Sequence, residues 1–399
     1  MREAVILAGG MATRLGDIAA EVPKALLEVD GQPFIDYLAW NLRRHGIERI
    51  VVAGGRLGEQ IADHVGDGSH WGVAAEVIVE PEPLGTGGAA LLASRAVHGD
   101  EFLLLNGDTL FDVNYLDLAL VRRETAAALA MALRPVDDAS RYGSVRLTAD
   151  GSRRVVAFAE KGATGPGLIN GGIYALTREA LAGAPEGPFS LEHDLVPRLV
   201  ANGRVAGAVY RGAFIDIGVP DAYRAADAEL AAWRDKRLVL LDRDGVLNVD
   251  RGWVHSPEQF EWLPGAVAAV KSLNDAGALV VVVTNQAGIA RGLYSEGEYR
   301  AFERWIADRL AEAGAHLDAV YHCPHHPTEG TSELTRVCDC RKPAPGMIEA
   351  ALEEFGTVRE RAIFIGDSDK DLEAAQNARI RGVRYTGGDL AGLVQEVAS

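Results

Sequence analysis

Cysteine is scarce: the 399 residues hold three, and all of them fall between Cys323 and Cys340. An odd number crowded into one short stretch argues against a disulfide scaffold and toward a local metal site. Long apolar runs are missing as well. The longest, Ala278 to Val283, falls far short of the roughly 20 residues a membrane-spanning helix needs. The first ten residues carry an apolar run only a strand long that ends in glycines, unlike a secretory signal, so a soluble, cytoplasmic chain is expected. Positive charge is in deficit, with 40 Lys and Arg against 57 Asp and Glu and a net charge of −17. That balance repels phosphate backbones and anionic membrane surfaces, which excludes a general nucleic-acid or membrane-surface protein. A small phosphorylated ligand stays open, because a few local cations or metal ions can hold one. No Pro/Gly/Ser-rich linker, internal repeat or low-complexity tract occurs.

What is present is a 48% apolar chain with ordinary charge content, long enough for two domains. Strand-length apolar runs (residues 4–7, 50–53, 75–79 and 102–105) and a helical pattern over 34–44 indicate parallel α/β layers. A more antiparallel section follows at 126–133, 143–147, 155–158, 171–176 and 207–210, and then an alanine-rich helix over 221–233. A second α/β series starts at Arg237. The expected domains are residues 1–235 and 236–399.

Two glycines, Gly9 and Gly10, end the first strand, where backbone N–H groups can approach phosphate oxygens. Arg14 and Lys24 can neutralise a triphosphate. Asp108 follows the strand over 102–105, and Asp216 follows Phe214-Ile215. Two such carboxylates beside phosphate oxygens suit Mg²⁺, although Asp next to Gly also caps turns. In order and spacing Gly9-Gly10-Met11-Ala12-Thr13-Arg14-Leu15, Pro23-Lys24, Gly107-Asp108, Glu160-Lys161, Asn170-Gly171-Gly172 and Asp216-Ile217-Gly218 resemble the sugar-phosphate nucleotidyltransferases. The resemblance spans roughly the first 230 residues and implies a Rossmann-like α/β domain. It departs from the family at Ala12, where the family has glycine; an alternative reading of this half as a module that only binds ligand rests on that residue alone.

The reaction implied is attack of a sugar 1-phosphate oxygen on the α-phosphorus of a nucleoside triphosphate, with pyrophosphate leaving. By the same resemblance Arg14 and Lys24 hold the triphosphate, Lys161 the sugar phosphate, and Glu160 and Asn170 the sugar hydroxyls, while Asp108 and Asp216 carry Mg²⁺. The segment from Glu80 through Gly85 to Gly88 looks like the family's base-binding stretch. A carboxylate such as Glu80 can accept from guanine N1–H and N2–H₂ together, which favours GTP over ATP. The segment 167–174, with Arg141-Tyr142-Gly143 and residues 214–220, is most similar to the heptose 1-phosphate guanylyltransferases.

In the second half, Asp242 and Asp244 sit at i and i+2 where an apolar strand ends, so both face the same side. One can attack a phosphoryl group while the other trades protons with the leaving oxygen. With Thr284-Asn285, Arg341-Lys342 and Asp367 leading to Asp371, the half resembles the haloacid-dehalogenase (HAD)-type phosphatases. That implies Asp242 as nucleophile and Asp244 as acid and base. Thr284, Asn285 and Lys342 would bind the phosphoryl group, with Asp242, Asp244 and Asp367 around Mg²⁺. Cys323, His325, Cys338 and Cys340 suit a structural, tetrahedral Zn²⁺ on a loop spanning 323–340; His326 or His322 could take the place of His325. A zinc loop at this place is shared by the histidinol phosphatases and the heptose 1,7-bisphosphate phosphatases; Thr284–Gly292 and Cys340-Arg341-Lys342-Pro343 look like the heptose enzyme, with Arg291 and Arg341 toward the far phosphate, and a histidinol-phosphate-type substrate is the alternative. Histidines such as His45, His64 and His193 read as scattered surface or packing residues. The joint expectation is one enzyme for two consecutive steps on heptose phosphates, using Mg²⁺ in both halves. Small molecules are its expected partners, and oligomeric state is left open.

Overall fold

The structure, a computed structural model, describes residues 1–10, 21–139, 144–159, 165–330 and 333–397. It divides into two compact units, Met1–Trp233 and Arg234–Ser399. Among the described residues no helix is long and apolar enough to cross a membrane.

The first unit runs β1 (Glu3–Leu7), a short ribbon of β2 (Glu28–Val29) and β3 (Gln32–Pro33), α1 (Phe34–Arg44), β4 (Arg49–Gly54), α2 (Gly58–Val65), β5 (Ala74–Val79), α3 (Gly85–Ser94), β6 (Glu101–Asn106), β7 (Thr109–Phe111) and α4 (Tyr115–Glu124). It continues through β8 (Leu129–Val136), β9 (Ser144–Leu147), β10 (Val155–Ala159), β11 (Gly167–Thr177), α5 (Val196–Ala201), β12 (Val205–Val209), β13 (Phe214–Asp216) and α6 (Pro220–Arg234). The main sheet has the order β10-β9-β11-β6-β1-β4-β5, with β8 pairing β11 and β12 pairing β8. β6, β1, β4 and β5 are parallel, so the ends of β1, β4 and β5 and the loop after β6 lie along one edge. Open α/β sheets place ligand groups at such an edge.

β1, β4 and β6 carry no polar alternation because both faces are covered, whereas the edge strand β5 is only partly buried. Along β1, Ala4 and Ile6 join one core with Ile35, Leu38 and Leu42 of α1. Val5 joins the opposite core with Ala89, Ala90 and Ala93 of α3. Burying a Val or Leu contributes about 1.5–3 kcal/mol, so a polar residue at either set of positions would be costly. Two sequence expectations shift. The strand expected from residue 126 begins at Leu129, because Ala126 adopts φ +50° and Thr125 closes α4 by donating to the Val121 carbonyl. The strand expected over 171–176 extends back to Gly167, with a register break between Asn170 and Tyr174 against β8.

The second unit holds β14 (Leu238–Leu241), α7 (Ala266–Asp275), β15 (Leu279–Asn285), α8 (Glu296–Glu312), β16 (Ala319–Cys323), α9 (Gly346–Phe355), β17 (Ala362–Gly366), α10 (Asp369–Asn377), β18 (Arg381–Arg384) and α11 (Leu390–Val397). Its sheet is wholly parallel, in the order β16-β15-β14-β17-β18. The ends of β14, β15 and β17 therefore bring residues 242–244, 284–286 and 367 to one edge. Both units are α/β, as their patterns imply.

Candidate active sites

In the first unit three chain segments meet at the end of β1. The Ala8 N–H donates to the Ala53 carbonyl and the Gly107 N–H to the Leu7 carbonyl. A Cβ on Gly9 would lie 2.3 Å from Glu80 Oε1, one on Gly55 2.5 Å from the Gly9 carbonyl oxygen, and one on Gly107 2.7 Å from the Leu7 carbonyl oxygen. Glycine at 55 and 107 lets the backbones approach so closely, and at Gly9 it makes room for the Glu80 carboxylate. Glu80 is placed directly beside Gly9. Its Oε2 accepts from the Leu84 N–H at 2.9 Å, and burial raises its carboxyl above the ordinary range. Gly85, at φ +69°, would drive a Cβ to 2.7 Å from the Phe189 carbonyl oxygen, so packing alone accounts for that glycine. A Cβ on Gly10 would meet nothing within 4 Å.

The two acidic motifs are stitched together by a two-stranded ribbon in which Asp216 pairs with Thr109. The Ile217 N–H donates to the Asp108 carbonyl. Lys24 Nζ lies 3.0 Å from Asp108 Oδ2, and all three groups converge on Gly218. A Cβ there would sit 2.8 Å from Asp216 Oδ1, 3.5 Å from Asp108 Oδ2 and 3.6 Å from Lys24 Nζ. Two carboxylates and a cation thus face one small space that glycine keeps open. Such an all-oxygen donor pair fits a hard divalent cation.

Asn170 lies at the register break of β11 and is already committed. Its Nδ2 donates to Glu192 Oε1 at 2.8 Å and to the Tyr174 hydroxyl, and its Oδ1 accepts from the Gly172 N–H. Glu192, which sequence reasoning missed, stands on a π-helical turn (Leu191–Leu195). Turns of this kind cluster at functional sites, but a lone Glu in a polar stretch gives no sequence signal. Arg14, Glu160 and Lys161, with Ala12 and Arg141–Gly143, lie outside the described residues.

In the second unit Asp242 directly follows β14, and both it and Lys342 are almost fully buried. Lys342 Nζ lies 2.8 Å from Asp242 Oδ2 and 2.7 Å from Asp371 Oδ1, and it donates to the Val283 carbonyl at 2.9 Å. All three ammonium protons are therefore used. Burial pushes the Asp242 carboxyl up to about 7 against the pull of Lys342, whereas Lys342 and Ser368 hold Asp371 below the usual carboxylate range. Asn285 grips the backbone of Lys342 from both sides, accepting from its N–H and donating to its carbonyl. Asn285 thus positions the lysine, and Thr284, 1% exposed, accepts from Gln286 Nε2.

Removing one member of a buried ionic cluster leaves the others uncompensated. Lys342→Met should therefore lower the unfolding free energy by about 3 kcal/mol, read as a drop in urea midpoint. Adding Asp371→Asn to that variant should recover part of the loss.

Asp244 is fixed by three side chains the motif reading did not name. Arg243 Nη2 reaches both of its oxygens, Asn248 Nδ2 reaches Oδ1 and Gln286 Nε2 reaches Oδ2. Arg243 is itself 1% exposed, ion-paired to Glu303 on α8 and packed over the Tyr299 and Phe302 rings. Between two aspartates the sequence favours a solvated arginine; only the packing of α8 shows a buried one. Oxygens of Asp242, Asp367 and Asp371 lie within 4.8 Å of one another. A Cβ on Gly245, at φ +88°, would lie 2.1 Å from Asp367 Oδ2.

The cysteines close on His325. Sγ–Sγ separations are 3.2, 3.3 and 3.6 Å, and His325 Nδ1 lies 3.3 and 3.7 Å from two of the thiols. A tetrahedron with Zn–S bonds near 2.3 Å has edges of about 3.8 Å, so the donor set needs to open only slightly to fit zinc. Arg336 Nη2 stands 2.8 Å from His325 Nε2, and an ion on Nδ1 would move the ring proton to Nε2 and displace that guanidinium. His322 faces Glu296 instead, and His326 faces Arg291. Arg341 donates to the His325 carbonyl, while Arg291 packs over Trp253 and pairs with Glu329. The two arginines are thus tied to consecutive residues of the zinc loop.

Residues 3–232 match the family model described as nucleotidyl transferase, more than half of the chain. The chain belongs to the nucleotidyl transferase family. Residues 339–392 of this nucleotidyl transferase match a second model, HAD-hydrolase-like. It is 37% identical over 229 residues to D-glycero-alpha-D-manno-heptose 1-phosphate guanylyltransferase of Aneurinibacillus thermoaerophilus, covering 57% of this chain and 98% of that protein. Over 158 residues it is 46% identical to D-glycero-beta-D-manno-heptose-1,7-bisphosphate 7-phosphatase of Rhodopseudomonas palustris, covering 39% of this chain and 87% of that protein. Among solved structures, HddC from Yersinia pseudotuberculosis, also seen complexed with GMP-PN, superposes with a TM-score of 0.52 at 33% identity, covering 58% of this nucleotidyl transferase and all of that chain. The chain is thus a nucleotidyl transferase fused to a HAD-type phosphatase.

Proposed function

We propose that this fused enzyme removes the 7-phosphate of D-glycero-D-manno-heptose 1,7-bisphosphate and then joins the resulting heptose 1-phosphate to GMP from GTP. The carrying observation is that one chain spans nearly the whole of a heptose 1-phosphate guanylyltransferase and most of a heptose bisphosphate phosphatase. Phosphate release comes first, because the product then presents the 1-phosphate as its only phosphate.

In the phosphatase unit an Asp242 oxygen attacks the phosphorus of the 7-phosphate. The bond to the sugar oxygen breaks, and Asp244, aimed by Arg243, Asn248 and Gln286, gives that oxygen a proton. Water then attacks the aspartyl-phosphate, Asp244 takes its proton, and inorganic phosphate leaves with Asp242 regenerated. Lys342, whose proton on Asp242 turns to the phosphoryl oxygens as Asp242 attacks, and the Thr284 hydroxyl hold the phosphoryl group. Asp242 and Asp367, with the backbone of Asp244, would hold Mg²⁺, since Asp371 is already taken by Lys342 and Ser368. Bound there, the ion neutralises charge on the phosphoryl oxygens.

In the transferase unit alignment and charge neutralisation carry the reaction. An oxygen of the heptose 1-phosphate attacks the α-phosphorus of GTP and pyrophosphate departs. Lys24 and Arg14 hold the triphosphate, and Lys161 the sugar phosphate. Asp108 and Asp216 would hold Mg²⁺ in the space beside Gly218. Glu80 accepts from the guanine edge, using Oε1 and the remaining capacity of Oε2. Glu160 and Asn170 line the sugar.

Purified chain given heptose 1,7-bisphosphate should release one phosphate, and pyrophosphate should appear only after GTP is added. No turnover on any heptose phosphate would refute the substrate assignment. The Cys323–His325–Cys338–Cys340 set holds structural zinc in this reading. Chelator treatment should then release about one zinc per chain from that set and lower the melting temperature of the phosphatase unit by several degrees, since such sites contribute folding energy. Differential scanning calorimetry with metal analysis reads both.

A further inference from the structure

In the first unit Asp36, His64 and His70 bring one carboxylate oxygen and two ring nitrogens within 4.8 Å of one another. Three separate elements supply them. Asp36 is in the first turn of α1, His64 in the last turn of α2, and His70 in a short 3₁₀ turn (Ser69–Trp71). We propose that these three side chains form a second transition-metal site, selective for a borderline divalent cation such as Zn²⁺ over Mg²⁺.

The chemistry of the donors decides the class of ion. Mg²⁺ asks for oxygen ligands and six-fold geometry, whereas imidazole suits Zn²⁺, Ni²⁺ and Cu²⁺. Two nitrogens and a carboxylate leave a fourth position of tetrahedral Zn²⁺ for water. His64 Nε2 lies 2.7 Å from Asp36 Oδ1, so one cation can take both atoms in place of the hydrogen bond between them. The carboxylate is aimed by a further group, the buried Trp71 indole, whose Nε1–H donates to the same oxygen at 2.9 Å. Ligating carboxylates characteristically have such a partner.

The loop carrying His70 is rigidly set. Gly68, at φ +81°, would drive a Cβ to 2.6 Å from the Val73 carbonyl oxygen, and its own carbonyl accepts from the Trp71 N–H. Asp67 accepts from the Ser69 N–H. The His64 and His70 rings are edge to face at 5.5 Å, so closing on an ion takes side-chain rotation alone. Bound metal would clamp the end of α2 to the start of α1.

The test uses the full chain with Mg²⁺ present, dialysed against low-micromolar free zinc. Wild type should bind one equivalent more than His70→Ala, an exposed position, and one more than His64→Gln. Phosphate and pyrophosphate release by His70→Ala should match wild type. Equal zinc in all three proteins overturns the proposal. Cobalt substitution separates this site from the cysteine site. The wild-type-minus-variant spectrum should show visible bands without near-ultraviolet thiolate charge transfer, and a thiolate band in that difference overturns the proposal as well.

Discussion

Asp242→Asn should abolish phosphate release from the bisphosphate, by about 10⁴-fold or more, the usual consequence of deleting a covalent nucleophile. The amide keeps the shape of the carboxylate but cannot form the acyl-phosphate. The fold should survive, because Lys342 retains Asp371 at 2.7 Å and the Val283 carbonyl. The buried pair left behind is electrically balanced. Pyrophosphate release from GTP and a supplied heptose 1-phosphate should stay within twofold of wild type, since each site is built from residues of its own unit. A phosphate-release assay and a pyrophosphate assay on one preparation decide it. Residual phosphatase above a hundredth of wild type would remove Asp242 from the nucleophile's role.

The mirror experiment is Asp108→Asn. It withdraws a carboxylate from the space beside Gly218 and leaves Lys24 without its 3.0 Å partner. Loss of one preorganised charge at a phosphoryl-transfer centre costs about 10²–10³-fold in turnover. Pyrophosphate release should fall by that factor, while phosphate release from the bisphosphate should be unchanged. Raising Mg²⁺ should recover part of the rate if the carboxylate's work is to hold the ion. A rate equal to wild type at limiting Mg²⁺ would contradict the placement of the ion at Asp108 and Asp216.

Much of both sites was legible because phosphate chemistry constrains short, local patterns. A strand ending in Asp-x-Asp-Gly or Gly-Gly declares itself through period-two geometry and through the need for glycine where backbones touch. What escaped notice comes from elements distant in sequence. Glu303 reaches Arg243 only because α8 packs over β14 and β15, and Glu192 reaches Asn170 from a π-helical turn that lies 22 residues further along the chain. Asn285 stands in a motif, yet its amide is consumed by the Lys342 backbone, a task no motif describes. The choice among His322, His325 and His326 was likewise undecidable by spacing, since all three lie within five residues of one another.

By itself the sequence determined the two α/β units and which residue types stand at the strand ends. Those follow from hydrophobic periodicity and from steric limits on the backbone, which act over a few residues. Tertiary structure decided which of those residues meet. It turned Asp371 toward Lys342, buried Arg243 and gathered Asp36, His64 and His70 onto one surface. Such meetings depend on how helices cross sheets, and burial then sets the charge of each group, which no local pattern encodes.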